Sequence, residues 1–294
     1  MGYSYLELMH SRDDSGTYSG PDYPATVHLY PYTNSSEVKS TIQTDGEVTI
    51  AIRDALDQLA DYNAIDYYSI YRWRYEDTDT TYPDWGDIDD CSYGAIAENF
   101  KYWLGETSVD ISSNCYSSNV GTNGTGDNYY GYTGVHQLIH DGSSGCNETD
   151  GYAPATAGAE SWGQTAFQEG RVAWSPVCSD QSLERVAGIQ ETVHMLMHPA
   201  WDRTVDCSSA SRPDCSFTNP RQHSVGTLNY NAEFNITTTT PMLAYHWDDF
   251  DGSESPDCPC PVEVEYAADN HSRYLTSCAK ESVYDTARNL DNLC

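Results

Sequence analysis

Acidic side chains outnumber basic ones by 45 to 14 in this chain of 294 residues, a formal net charge of −31 at pH 7. Any compact fold it adopts must keep most of those carboxylates in water and tolerate their mutual repulsion. The acids are spread along the whole chain, total charge is an ordinary 20%, and 12% of residues are aromatic. That pattern excludes a solvated acidic tail and leaves a folded protein. In molar salt the Debye length falls to about 3 Å, and the repulsion opposing compaction largely disappears. Only three basic residues are lysines, Lys39, Lys101 and Lys280. An acid-rich, lysine-poor folded chain is expected to be halophilic. The same count argues against a nucleic-acid partner, because phosphate binding needs a basic surface.

The composition resembles that of secreted haloarchaeal proteins. Ten cysteines stand at Cys91, Cys115, Cys146, Cys178, Cys207, Cys215, Cys258, Cys260, Cys278 and Cys294, with no C-x-x-C pair. An even number at broad spacing reads as disulfides formed in an oxidising compartment rather than as a zinc ribbon or a redox motif. Five N-x-S/T sequons, at Asn34, Asn123, Asn147, Asn235 and Asn270, agree with a glycosylated, secreted or cell-surface protein. No run of 18 apolar residues is present, so no membrane span is expected. Met1 is followed by Gly-Tyr-Ser-Tyr and not by a leader. We read this as the start of a mature secreted chain.

Residues 25–32 read as a strand, and 46–62 as a helix from the mostly 3.6-residue spacing of Val48, Ile50, Ile52, Ala55, Leu56 and Leu59. Residues 67–75 are β-branched and aromatic, hence a strand. Residues 92–105 carry Ile96, Phe100 and Leu104 on one helical stripe. A Ser/Gly/Asn-rich loop over 114–128 precedes a strand at 134–141, a second loop over 142–164 and a short strand at 171–174. Asp180 or Ser182 caps a helix running to His198, where Pro199 stops it. Little is regular from 199 to 261, and a last helix covers 277–291. The order β-α-β-α-β-β-α predicts an α/β sheet domain. It divides into an N-terminal part, 1–198, that includes this helix, and an irregular, disulfide-rich C-terminal part, 199–294.

The helix before Pro199 ends in Gln190-Glu191-Thr192-Val193-His194-Met195-Leu196-Met197-His198. At about 100° per residue, Glu191, His194 and His198 fall within an arc of roughly 60°. Two imidazoles four apart on one helical face suit a divalent metal, zinc first among them. The run stands near the H-E-x-x-H signature of zinc hydrolases, in either of two registers. With His194 and His198 as the pair, Met195 occupies the position of the glutamate. With Glu191 as that glutamate and His194 as the second ligand, Gln190 occupies the position of the first histidine.

These features make the chain resemble a zincin metallopeptidase of metzincin type. The order of elements is similar to the zincin N-terminal subdomain, an open twisted mixed sheet packed on two helices of which the second carries the metal. Gly134–Asp141 resembles the sheet strand before that helix, and Thr240-Pro241-Met242-Leu243-Ala244-Tyr245-His246 resembles the Met-turn that lies beneath the metal. The resemblance implies a metal held by His194, His198 and a third ligand, with His223 of Gln222-His223-Ser224-Val225-Gly226 the candidate. Glu191 is then the general base or, failing His223, the further ligand.

Other motifs are weaker. His136 and His140 share a face of one strand and could line a cleft. Ala159-Glu160-Ser161-Trp162-Gly163 imitates a nucleophile elbow without the strand and helix that the elbow requires. Asp248-Asp249-Phe250-Asp251-Gly252-Ser253-Glu254 could hold a structural calcium, although its glycine misses the EF-hand position. Two functions follow. One is a metal-dependent peptidase acting on extracellular polypeptide. The other is a catalytically inactive descendant, binding or assembling at the cell envelope and self-associating through a surface drawn from 24 tyrosines.

Overall fold

A computed structural model of the chain describes residues 5–14, 23–31, 36–74, 106–108, 119–120, 133–140, 158–159, 165–167, 170–177, 181–197, 228–231, 236–242 and 270–289. It is a mixed α/β fold. Strands β1 (Tyr5–Asp13), β2 (Pro24–Pro31), β3 (Tyr67–Arg74), β6 (Gly134–His140), β7 (Gly158–Ala159) and β8 (Gly170–Pro176) form one sheet in the order β1-β3-β2-β6-β8-β7. The four inner strands are parallel, and the edge strands β1 and β7 run antiparallel to their neighbours. Strands β4 (Glu106–Ser108) and β5 (Asn119–Val120) pair with each other.

Helices α1 (Ser36–Thr41) and α2 (Glu47–Asp61) form the crossover between parallel β2 and β3. Val48, Ala51, Ile52, Ala55, Leu56 and Leu59 are all buried on one face of α2, the stripe that a 3.6-residue period requires. Past its end, Asn63 turns the chain at φ 61°, a left-handed conformation that asparagine tolerates better than most residues. Helix α3 (Gln181–Leu196) packs beside α2 and against β6, β7 and β8 of the sheet, and α4 (Ser277–Arg288) packs against both α2 and α3. Thr276 caps α4 by accepting a hydrogen bond from the Ala279 amide at 3.1 Å.

Alternation along the strands decides which residues meet the helices. Ala25, Val27 and Leu29 of β2, Val135 and Ile139 of β6, and Ala173 of β8 join the apolar cluster with α2, α3 and α4. The residues between them face the other way and are buried too. His28, Tyr30, Trp73, His136, Leu138, Val172 and Trp174 make a second buried layer on the far face. Both faces covered is what a parallel sheet demands. Gly134 starts β6 at φ +128°, where a Cβ would stand 2.4 Å from the Thr26 carbonyl oxygen. Only glycine permits that approach of β6 to β2.

Several expectations are corrected. Strand β1 was not foreseen, because Leu8 (52% exposed) and buried Met9 put apolar side chains on both faces and erase the alternation. Helix α1 is too short to show a period. Residues 119–120 and 158–159 are strands inside stretches read as loop. The segment 199–261 is not wholly irregular. Strands β9 (Leu228–Asn231) and β10 (Ile236–Thr239) pair antiparallel, and β11 (Asn270–His271) adds to β10 in parallel. Helix α3 ends at Leu196, two residues before the expected His198, and α4 ends at Arg288 rather than 291. The helix expected at 92–105 lies outside the described residues. So do the cysteines other than Cys278, and with them the disulfide-rich character expected of the C-terminal part.

Candidate functional site

Helix α3 is enclosed on every side, with all residues from Val186 to Met197 buried. Its first half is fixed by charge and hydrogen bonding to the α1–α2 corner. Thr41 donates its hydroxyl to the Glu184 carboxylate, and Arg185 pairs with Glu47 at 2.5 Å. At Gly188 the two long helices close together, for a Cβ there would stand 3.1 Å from Val48 Cγ1.

One buried amide then sets the rotation of the helix against the sheet. Gln137, on β6, donates from Nε2 to Ser175 Oγ at 2.9 Å and to the Gly188 carbonyl at 3.3 Å. Its Oε1 accepts the Thr192 hydroxyl at 2.6 Å. Gln137 thus uses both donors and its acceptor, as a buried amide must. At about 100° per residue, Gln190 and His194 each lie about 160° around the helix from Thr192. With Thr192 bound to the sheet, these two point away from it, about 40° apart.

Gln190, Glu191 and His194 are respectively 1%, 5% and 6% exposed. Three polar side chains within two turns are thereby withdrawn from water, each at a cost unless it is compensated. Burial pushes the Glu191 carboxyl up to about 8. The Gln190 Oε1 atom is fully buried and finds no hydrogen-bond partner among the described residues. Met195, by contrast, is packed in the apolar cluster with Val193, Leu196 and Met197. The Met195 carbonyl near the helix end accepts the Ala166 amide at 2.7 Å, which satisfies one of the orphan groups of that terminus.

Of the expected site residues, Glu191 and His194 are together on α3. His198 and His223 lie outside the described residues, as does the Asp248–Glu254 cluster. Thr240, Pro241 and Met242 form a buried turn, and Met242 belongs to the same apolar cluster as Met195 and Leu196. Among the described residues no group of three or more His, Cys, Asp or Glu side chains is gathered as a metal cage.

His136 does not line an open cleft. It is fully buried, stacks on His28 with centroids 4.7 Å apart, and its Nδ1 lies 2.7 Å from the Tyr30 hydroxyl. Trp73 donates its indole N–H to His28 Nδ1 at 3.4 Å. Burial first, then the neighbouring His136, holds His28 well below its ordinary value of 6.5. Sequence reasoning missed this cluster because His28 and His136 are 108 positions apart and become neighbours only through the β2–β6 register, which pairs them directly. Gln137 and Gln190 were missed as buried polar groups because glutamine on a sequence reads as a surface residue.

No protein-family profile matches the chain, and no curated protein matches it in sequence. No helix among the described residues is long and apolar enough to cross a membrane.

Proposed function

We propose that this chain is a secreted, salt-adapted, zincin-like metal-dependent peptidase. The observation that carries the reading is the burial of Gln190, Glu191 and His194 within two turns of α3, Gln190 and His194 pointing away from the sheet and Glu191 to the side. Burying an amide, a carboxyl and an imidazole this close together costs free energy unless each is compensated, and that cost supports a functional role. Perturbed carboxyls in enclosed positions concentrate at functional sites. The open mixed sheet with the two long helices α2 and α3 packed on it, α3 bearing these residues, is the arrangement that the zincin resemblance implies. The buried Thr240–Met242 turn in contact with the same apolar cluster supports it further.

The packing favours the register in which Glu191 is the base. A glutamate in place of Met195 would enter the apolar core, whereas Glu191 stands about 60° around the helix from His194. In this reading His194 holds the metal, with His198 and His223 as further ligands. The zinc or other divalent cation would supply Lewis-acid polarisation of the scissile carbonyl. With a cation bound beside it, the Glu191 carboxyl would be drawn back to its ionised form and would take the proton of the attacking water and pass it to the leaving amine. The apolar walls around Glu191 exclude bulk water from that transfer. The substrate is extracellular polypeptide. The five disulfides and glycosylated sequons that accompany a secreted chain belong to the same reading, and thiol titration of the denatured, unreduced protein tests them.

A second reading has an observation in its favour. Gln190 occupies the position of the first histidine in this register, as expected of an inactive descendant that binds or assembles at the cell envelope. Metal content and hydrolysis of an unfolded polypeptide, both measured in molar KCl, separate the two. The peptidase reading requires bound metal and chelator-sensitive cleavage that falls by about 10²–10⁴-fold in Glu191→Gln. Metal without cleavage leaves the binding protein. Absence of metal removes the peptidase.

A further inference from the structure

We infer that Gln190 is itself a metal ligand, through its amide oxygen, paired with the imidazole of His194 on the same helical face. The inference rests on the metal-dependent reading above and specifies the donor set of that site. Its own support is local. Gln190 is 1% exposed, and its Oε1 atom is fully buried with no hydrogen-bond partner among the described residues. The other buried glutamine near α3, Gln137, has every polar atom satisfied, at 2.6, 2.9 and 3.3 Å. The fold thus satisfies one amide completely, whereas the carbonyl oxygen of the other meets no hydrogen-bond partner among the described residues.

A buried acceptor left unmade costs the fold its desolvation, and residues of this kind call for an explanation such as a bound ion. Val193, Met195 and Leu196 of the same helix are buried in the apolar cluster at no such cost. Residues four apart on a helix are neighbours, so the Gln190 oxygen and the His194 ring can converge on one point. Glu191, between them in sequence, adds a carboxyl at the same level of the helix. The helix thus offers the metal one amide oxygen and one imidazole, with the proposed base beside them. Carbonyl and carboxylate oxygens suit Mn²⁺, Mg²⁺ and Ca²⁺, whereas imidazole suits Zn²⁺, Cu²⁺ and Ni²⁺. Replacing an imidazole by an amide oxygen therefore narrows the margin by which zinc is preferred over a harder divalent cation such as Mn²⁺.

The test is equilibrium dialysis of the full chain against Mn²⁺, Co²⁺ and Zn²⁺ in molar KCl, with the wild type, Gln190→Met and Gln190→His. Gln190→Met keeps the length and removes the oxygen, so it leaves the apolar enclosure filled. Its melting temperature without metal should equal or exceed that of the wild type, which shows that it folds. Its affinity for Mn²⁺ should fall at least tenfold. Gln190→His should raise the affinity for Zn²⁺ relative to Mn²⁺ at least tenfold, and should change the visible absorption of the Co²⁺ form. If the wild type binds a cation and Gln190→Met binds it equally well, the role of Gln190 is overturned while the metal-dependent reading stands. If the wild type takes up none of the three cations, that reading falls and this inference falls with it.

Discussion

Thr192 of α3 donates a 2.6 Å hydrogen bond to the amide oxygen of Gln137 on β6, and both side chains are buried. Through this bond the helix carrying Glu191 and His194 is held at one rotation against the sheet. Gln137→Leu would leave the Thr192 and Ser175 hydroxyls and the Gly188 carbonyl without their partner. The expected loss is about 2–3 kcal/mol, from the usual 1–3 kcal/mol for a buried polar group deprived of its bond. Thr192→Val in the same background should cost less than it does alone. Urea unfolding of the four members of this cycle checks the coupling, and strict additivity would show that the bond does not matter.

The closeness of α2 and α3 at Gly188 gives a second expectation. A Cβ would already meet Val48 Cγ1 at 3.1 Å, so Gly188→Leu must force the helices apart. Overpacking of this kind costs about 1–3 kcal/mol. Val48→Ala makes room, and the double variant should recover part of the loss. A Gly188→Leu protein as stable as the wild type would contradict the close approach.

Stability should fall as the solution becomes more acidic than about pH 6.5, the ordinary value from which His28 is lowered. The sign follows from linkage. Below 6.5 the unfolded chain binds a proton at this histidine while the folded chain, holding it neutral beside His136, does not. The unfolded state gains with each step down in pH, so the fold loses. His28→Phe removes this contribution and should flatten the decline between pH 7 and pH 5. Thermal melts across that range, compared at constant ionic strength, decide it. Parallel curves for the two proteins would mean that His28 does not titrate on unfolding.

Salt should act strongly. With a net charge of −31, self-repulsion is long-ranged in dilute buffer, where the Debye length is about 30 Å at 0.01 M, and is cut to about 3 Å at 1 M. The ion pairs Arg12–Asp61, Arg72–Glu7 and Arg273–Asp54 are partly exposed and offset little of it. The melting temperature is expected to climb steeply from dilute buffer to molar KCl. A flat profile would remove the halophilic reading.

What the sequence by itself determined is local and periodic. The apolar spacing of Val48 to Leu59 set α2, the β-branched and aromatic run read at 67–75 set β3 (Tyr67–Arg74), and the alternation read at 134–141 set β6 (Gly134–His140), because each pattern needs only its own neighbours to specify which face is buried. The pairing of Glu191 with His194 on one helix was legible for the same reason. The tertiary structure alone decided the rest. Edge strand β1 takes its place by pairing with β3, from Tyr5 opposite Arg74 to Asp13 opposite Tyr67, through backbone groups that carry no side-chain signature. His28 meets His136 through strand register, and Gln137 meets Thr192 and Ser175 through the packing of helix on sheet. Whether a polar side chain is solvated or enclosed is a property of everything around it, and so the burial of Gln190 and Glu191 became visible only when the chain closed over α3.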